Sequence, residues 1–127
     1  MIGPGKAVDS DRRFIVCPNV LDGCQGTTGP SSLAADCRPY GSRFPLVTIR
    51  DQVAVEAALA DALDIDRWAS VLGGSMGGTR ALEWAVTYPE RVSSAVLLAT
   101  SACSGDEGMA DLFGMKRARS PASTPPP

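Results

Sequence analysis

Apolar residues along this chain fall into short continuous runs and helical stripes, separated by turn-forming stretches. Phe14-Ile15-Val16-Cys17-Pro18 is an unbroken apolar run bounded by charge and proline, which predicts a buried strand. Residues 1–11, with Gly3-Pro4-Gly5 and Asp9-Ser10-Asp11, carry turn chemistry instead. Asn19 to Pro45 is long, irregular and rich in Gly, Ser, Thr, Pro and Asp. Loops of that length in compact domains are usually functional or disordered. Gln25, Thr27, Thr28 and Arg43 are candidates to line a site there, and covering a sheet edge fits the composition equally well.

Thr48-Ile49-Arg50-Asp51 has the Ser/Thr-x-x-Asp/Glu form of a capping box and predicts a helix start. Val55, Leu59, Ala62 and Leu63 then recur at helical spacing, with Glu56, Asp61 and Asp64 mostly elsewhere, and Asp64-Ile65-Asp66 ends the helix. Trp68 to Leu72 reads as a strand, and Thr79 to Tyr88 as an amphipathic helix that stops at Pro89. Trp84 and Tyr88, four residues apart on that helix, are expected to pack in the core. Ser94 to Ala99 is a further buried strand. The order strand, loop, helix, strand, helix, strand has crossovers long enough to return the chain parallel. The expected fold class is α/β: a parallel three-stranded fragment whose outer strands would expose apolar faces and open edges. From Cys103 the character changes, and Lys116 to Pro127 is basic and then Pro/Ser-rich. The expected organisation is one α/β unit over residues 1–102 and a disordered tail over 103–127.

Between the second strand and its helix lies Gly73-Gly74-Ser75-Met76-Gly77-Gly78, a G-x-S-x-G match in strand–turn–helix context, the layout of a nucleophile elbow. The serine must stand clear of the sheet on a tight turn, and side chains two positions before and after it are expected to collide with the neighbouring strand and helix. Ser75 is the candidate nucleophile. Met76, opening the following helix, is the candidate backbone N–H donor to a developing oxyanion. The glycine spacing fits no dinucleotide fingerprint, and no lysine follows to make a phosphate-binding loop. The plainer alternative is a serine that merely turns the chain.

Composition narrows the classes. The 127 residues are 44% hydrophobic and 20% charged with net charge −2, as expected of a globular domain, and offer no basic stretch for nucleic acid or a membrane surface. No apolar run approaches the roughly 18 residues of a membrane span, and the N-terminus lacks a signal-peptide core, so a cytoplasmic location is expected. The four cysteines (Cys17, Cys24, Cys37, Cys103) form no C-x-x-C pair, so no metal site is expected and the thiols read as buried or incidental. The chain has no histidine. A serine hydroxyl needs a base to take its proton, which in G-x-S-x-G enzymes is a histidine oriented by an acid, both downstream of the elbow.

Several separate stretches, in one order, closely resemble the homoserine O-acetyltransferases, α/β-hydrolase-fold acyltransferases of methionine biosynthesis. They are Asn19 to Pro30, Gly41-Ser42-Arg43-Phe44-Pro45, Thr48-Ile49-Arg50-Asp51, Gly73 to Gly78 and Ala81-Leu82-Glu83-Trp84-Ala85, and the likeness runs from about Ile2 to about Ala102. The resemblance implies a partial α/β-hydrolase fold and a ping-pong reaction. Ser75 would take an acetyl group from acetyl-CoA and pass it to the side-chain hydroxyl of L-homoserine, with Met76 in the oxyanion hole. It also implies acetyl-CoA as co-substrate with no permanently bound cofactor, loop 19–45 near the active-site entrance, and a cytoplasmic homodimer. Related enzymes use succinyl-CoA or accept on serine. An esterase of the same fold, with water as acceptor, is the second expectation. Family members are longer and carry a lid and the catalytic Asp and His beyond the matching region. The expectation is therefore a fragment, from a late start with a frameshift or early stop, that shows no significant turnover alone.

Overall fold

The computed structural model describes residues 1–100. Cys103 and the expected tail over 103–127 lie outside the described residues. Among the described residues two α-helices and two strands alternate, α1 (Ile49–Ala62), β1 (Val71–Gly74), α2 (Met76–Thr87) and β2 (Ala95–Leu98), with short 3-10 turns at Gly41–Arg43 and Pro89–Arg91.

The predicted capping box opens α1. Thr48 Oγ1 accepts the Asp51 N–H at 3.2 Å, and the Asp51 carboxylate accepts the Thr48 N–H at 2.8 Å, so two of the helix's orphan donors are satisfied reciprocally. The other end closes through Asp64, which takes the left-handed conformation (φ 55°). The Ile65 N–H then reaches the Ala60 carbonyl at 2.9 Å and the Asp64 N–H reaches the Asp61 carbonyl at 3.1 Å, a Schellman closure. Arg91 adds a clamp here: it donates to the carbonyls of Ile65 and Asp66 and pairs with Asp61 at 2.7 Å.

The face that α1 buries differs from the expected one. Gln52, Val53, Ala57 and Ala60 are buried, whereas Val55, Leu59, Ala62 and Leu63 are exposed. Both stripes have helical spacing, because apolar residues fill positions 53–55, 57–60 and 62. The alanine-lined stripe lets α1 lie close to α2. It also brings Glu56 against α2, where its carboxylate accepts the Trp84 indole N–H at 2.7 Å and pairs with the Arg80 guanidinium.

Strands β1 and β2 pair in parallel, Val71 opposite Ala95 through Gly74 opposite Leu98, with α2 as the crossover. The pairing starts earlier, at an isolated bridge between Trp68 and Val92. The sheet has two strands among the described residues, not the expected three. The run Phe14 to Pro18 joins no sheet, and Phe14 is 75% exposed. An apolar run has strand propensity, but a strand exists only where a partner supplies the other half of the hydrogen-bond ladder. The core lies between the helices and the start of the sheet: Val53, Ala57, Ala60, Trp84 and Val92, flanked by Ile65, Trp68, Val71 and Tyr88. Trp84 and Tyr88 pack there as expected, with ring centroids 5.2 Å apart. Leu72, Val96, Leu97 and Leu98 are exposed, which corrects the buried reading of the strand over 94–99 and fits the exposed apolar faces expected of a partial sheet.

Candidate active site

Ser75 sits between β1 and α2 with φ 54° and ψ −123°, outside the regions L-residues ordinarily occupy. Holding a non-glycine residue there costs on the order of 1–3 kcal/mol, and such strain persists only where the surroundings over-determine it. They do so from both sides. The Ser75 N–H extends the parallel ladder by donating to the Leu98 carbonyl at 2.9 Å, and its own carbonyl accepts the N–H groups of Gly78 (2.9 Å) and Thr79 (3.3 Å) at the start of α2.

The hydroxyl is the informative part. A serine at a helix N-cap normally turns its side chain onto the backbone N–H groups of the first turn. Thr48 does so at α1, and Ser75 makes no such bond at α2. Its residue is exposed and its hydroxyl has no partner among the described residues. A chain-turning serine would cap its helix without backbone strain; Ser75 shows the reverse. Immediately after it, the Met76 N–H opens α2 and has no acceptor among the described residues. It is one of the orphan donors at the positive end of the helix dipole, adjacent to the serine.

The glycines divide differently from expectation. A side chain at Gly73, two residues before the serine, would overlap the backbone carbonyl of Gly77, so this position requires glycine. At Gly77, two residues after the serine, a Cβ meets nothing within 4 Å. The close approach falls instead at buried Gly78, where a Cβ would stand 2.7 Å from the Cβ and Cγ2 of Thr100. Thr100 is held against α2 by a 3.2 Å contact between its hydroxyl and that of Thr79. The difference follows from α2 crossing directly over the end of β2, a tertiary relation that places position 78 rather than 77 at the contact.

Of the loop candidates, Arg43 is engaged in internal structure, whereas Gln25 and Thr28 are exposed and Thr27 is half-buried. Arg43 pairs with Asp36 at 2.8 Å and donates to the Pro39 carbonyl, and it holds the exposed Asp36 carboxyl below its usual range. Thr28 accepts the Asp22 N–H through its backbone carbonyl, and Gln25 likewise accepts the Asn19 side chain. Gly29 is buried so close to the Gly23 carbonyl that no side chain fits. Cys17, Cys24 and Cys37 are free and exposed, so of the two readings of the thiols, buried or incidental, the buried one is corrected for these three.

What sequence reasoning missed is the support behind α2. Glu56 of α1 holds two α2 residues one turn apart, Arg80 through an ion pair and Trp84 through a hydrogen bond. Arg80 and Glu56 side chains are each only 14% exposed, and burial pushes the Arg80 guanidinium below its ordinary range. Gln52 Oε1 and Arg80 Nε, both buried in the described region, lack hydrogen-bond partners there. The signal was a charged residue, Glu56, one position from the buried Ala57 and Val53 stripe; it carries no partner label in the sequence.

A profile of the alpha/beta hydrolase fold family matches residues 3–124. A homoserine O-acetyltransferase of Thermobifida fusca is 63% identical over 110 residues, covering 87% of this chain and 29% of that protein. Among solved structures, esterase E22 superposes with a TM-score of 0.81 at 38% identity, covering 89% of this chain and 33% of that one. The homoserine O-acetyltransferase of Bacillus anthracis gives a TM-score of 0.78 at 32% identity, over 82% of this chain and 30% of that one. The chain thus spans less than a third of the length of the curated relatives it matches. Among the described residues no helix is long and apolar enough to cross a membrane.

Proposed function

The chain belongs to the α/β-hydrolase fold family, and on that premise we propose that it is the nucleophile-bearing part of a homoserine O-acetyltransferase. One observation carries the reading: a strained, uncapped Ser75 whose neighbour Met76 offers a free helix-terminal N–H. In the proposed cycle, Ser75 Oγ attacks the thioester carbonyl of acetyl-CoA. The hydroxyl proton passes to a base, the carbonyl oxygen gains charge beside the Met76 N–H, and the C–S bond breaks as coenzyme A leaves with that proton. The side-chain hydroxyl of L-homoserine then attacks the acetyl-serine, and O-acetyl-homoserine leaves as Ser75 regains its proton. The chain contains no histidine, so the base is supplied by residues outside these 127. A cytoplasmic, homodimeric enzyme of methionine biosynthesis is the setting this reading carries with it.

A transplant tests it. Residues 2–100 of this chain replace the matching segment of the Thermobifida fusca relative, and acetyl transfer is followed by release of free thiol. The chimera should retain activity, and Ser75→Ala should remove on the order of 10⁴- to 10⁶-fold of it. A folded chimera that transfers acetyl equally well without the serine refutes the assignment. The likeness to esterase E22 supports a second reading, acyl transfer to water. Hydrolysis of a p-nitrophenyl ester exceeding transfer to homoserine in the same chimera would favour it, and succinyl-CoA in place of acetyl-CoA reads the acyl preference.

A further inference from the structure

Away from the elbow, the N-terminal loop borders an open surface concavity of about 380 Å³ lined by Gly5, Lys6, Ala7, Asp9, Arg12 and Arg13. Three cations face one anion there, although the chain as a whole is acidic with net charge −2. The single carboxylate is already engaged: Asp9 Oδ1 accepts the N–H groups of Gly5 at 3.2 Å and Asp11 at 3.0 Å. None of the ion pairs among the described residues uses Lys6, Arg12 or Arg13, whereas Arg43, Arg50, Arg80 and Arg91 all have carboxylate partners. Among the described residues these three exposed cations thus have no carboxylate partner.

The loop that carries them is held by its own backbone. Gly3 and Val8 exchange bonds with Val8 and Met1 (Gly3 N–H to Val8 carbonyl and Val8 N–H to Met1 carbonyl, each 3.1 Å), and the Lys6 N–H closes onto the Gly3 carbonyl at 3.0 Å. Gly5 supplies the left-handed turn (φ 65°) between them. The Arg12 N–H donates to the Asp9 carbonyl, which ties the arginine pair to the same turn. Two guanidinium groups and one ammonium lining one concavity supply the charge and the donors that a phosphate or diphosphate group takes.

We propose that this concavity is an anion site for a diphosphate-bearing small molecule, with Arg12 and Arg13 as the principal donors and Lys6 as a third. The site does not depend on Ser75 or on the acyl-transfer reading. Diphosphate chemistry is shared by free pyrophosphate and by coenzyme A, and the test separates them.

The full 127-residue chain is titrated with sodium pyrophosphate, and separately with coenzyme A, at constant ionic strength while amide shifts of residues 5–13 are followed by NMR. Saturable shifts are expected. Arg12→Gln and Arg13→Gln should each weaken binding about tenfold, about the loss of one charge-assisted hydrogen bond, and Arg12→Lys should weaken it less. Arg67→Gln, outside the concavity, should leave it unchanged. Tighter binding of coenzyme A than of pyrophosphate assigns the group to the coenzyme, and equal or weaker binding assigns a free diphosphate. Shifts that fail to saturate, that sodium chloride reproduces, or that survive Arg12→Gln with Arg13→Gln overturn the proposal. Circular dichroism of each variant separates lost binding from lost fold.

Discussion

Removing the charge of Glu56 is expected to loosen the helix that carries the elbow. In Glu56→Gln the new amide keeps an oxygen for the Trp84 indole, so the 2.7 Å hydrogen bond has a replacement, but Arg80 loses its counter-charge. Arg80 is 14% exposed and its Nε already lacks a partner, so an uncompensated guanidinium would remain in a largely desolvated position. Breaking a buried ion pair from one side costs about 3–5 kcal/mol; with part of the pair in contact with water, about 2–3 kcal/mol is expected here. Urea unfolding followed by tryptophan emission reads this directly, since Trp84 is itself a partner and Trp68 flanks the core. The double variant Glu56→Gln with Arg80→Leu removes both charges and should recover most of the loss, for replacing a buried pair by apolar groups is often neutral. A loss below about 0.5 kcal/mol in Glu56→Gln, or a double variant as unstable as the sum of the two single ones, would refute a desolvated pair as the link between α1 and α2.

Other outcomes follow from the elbow and from α1. Gly73→Ala, whose methyl would overlap the Gly77 carbonyl, should abolish acetyl transfer in the chimera and lower the urea midpoint, whereas Gly77→Ala, with open space at its Cβ, should do neither to a comparable degree. Ser75→Gly should raise stability by about 0.5–2 kcal/mol in urea unfolding, since relief of backbone strain outweighs the extra freedom glycine has when unfolded. Thr48→Ala should cost about 1 kcal/mol through the lost cap, read by the same unfolding curve. Hydrogen bonds from Thr48 hold the Asp51 carboxyl below its usual range. Its contribution is therefore complete above the ordinary carboxylate pKa near 4 and is lost as pH falls through the lower folded value. Helix content measured by circular dichroism from pH 6 to 2 should fall less steeply in Thr48→Ala.

The features legible in the residues alone are those set by short-range chemistry. The Thr48–Asp51 cap, the stop at Pro89, the Trp84–Tyr88 pair and the strand–serine–helix order around Ser75 each depend on residues within a turn of one another, and each is present. What needed the tertiary structure are choices between locally equivalent options. Two stripes of α1 have helical spacing, and the one carrying Val53, Ala57 and Ala60 is the buried one, an orientation that also sets Glu56 against Arg80 and Trp84. Position 78 rather than 77 demands glycine because Thr100, two residues past the end of β2, comes to rest against it. Phe14 to Pro18 has the composition of a strand and lacks the partner that would make it one. Local propensity is written in neighbouring side chains; burial, pairing and the strain at Ser75 depend on groups far along the chain, and only their packing in space decides them.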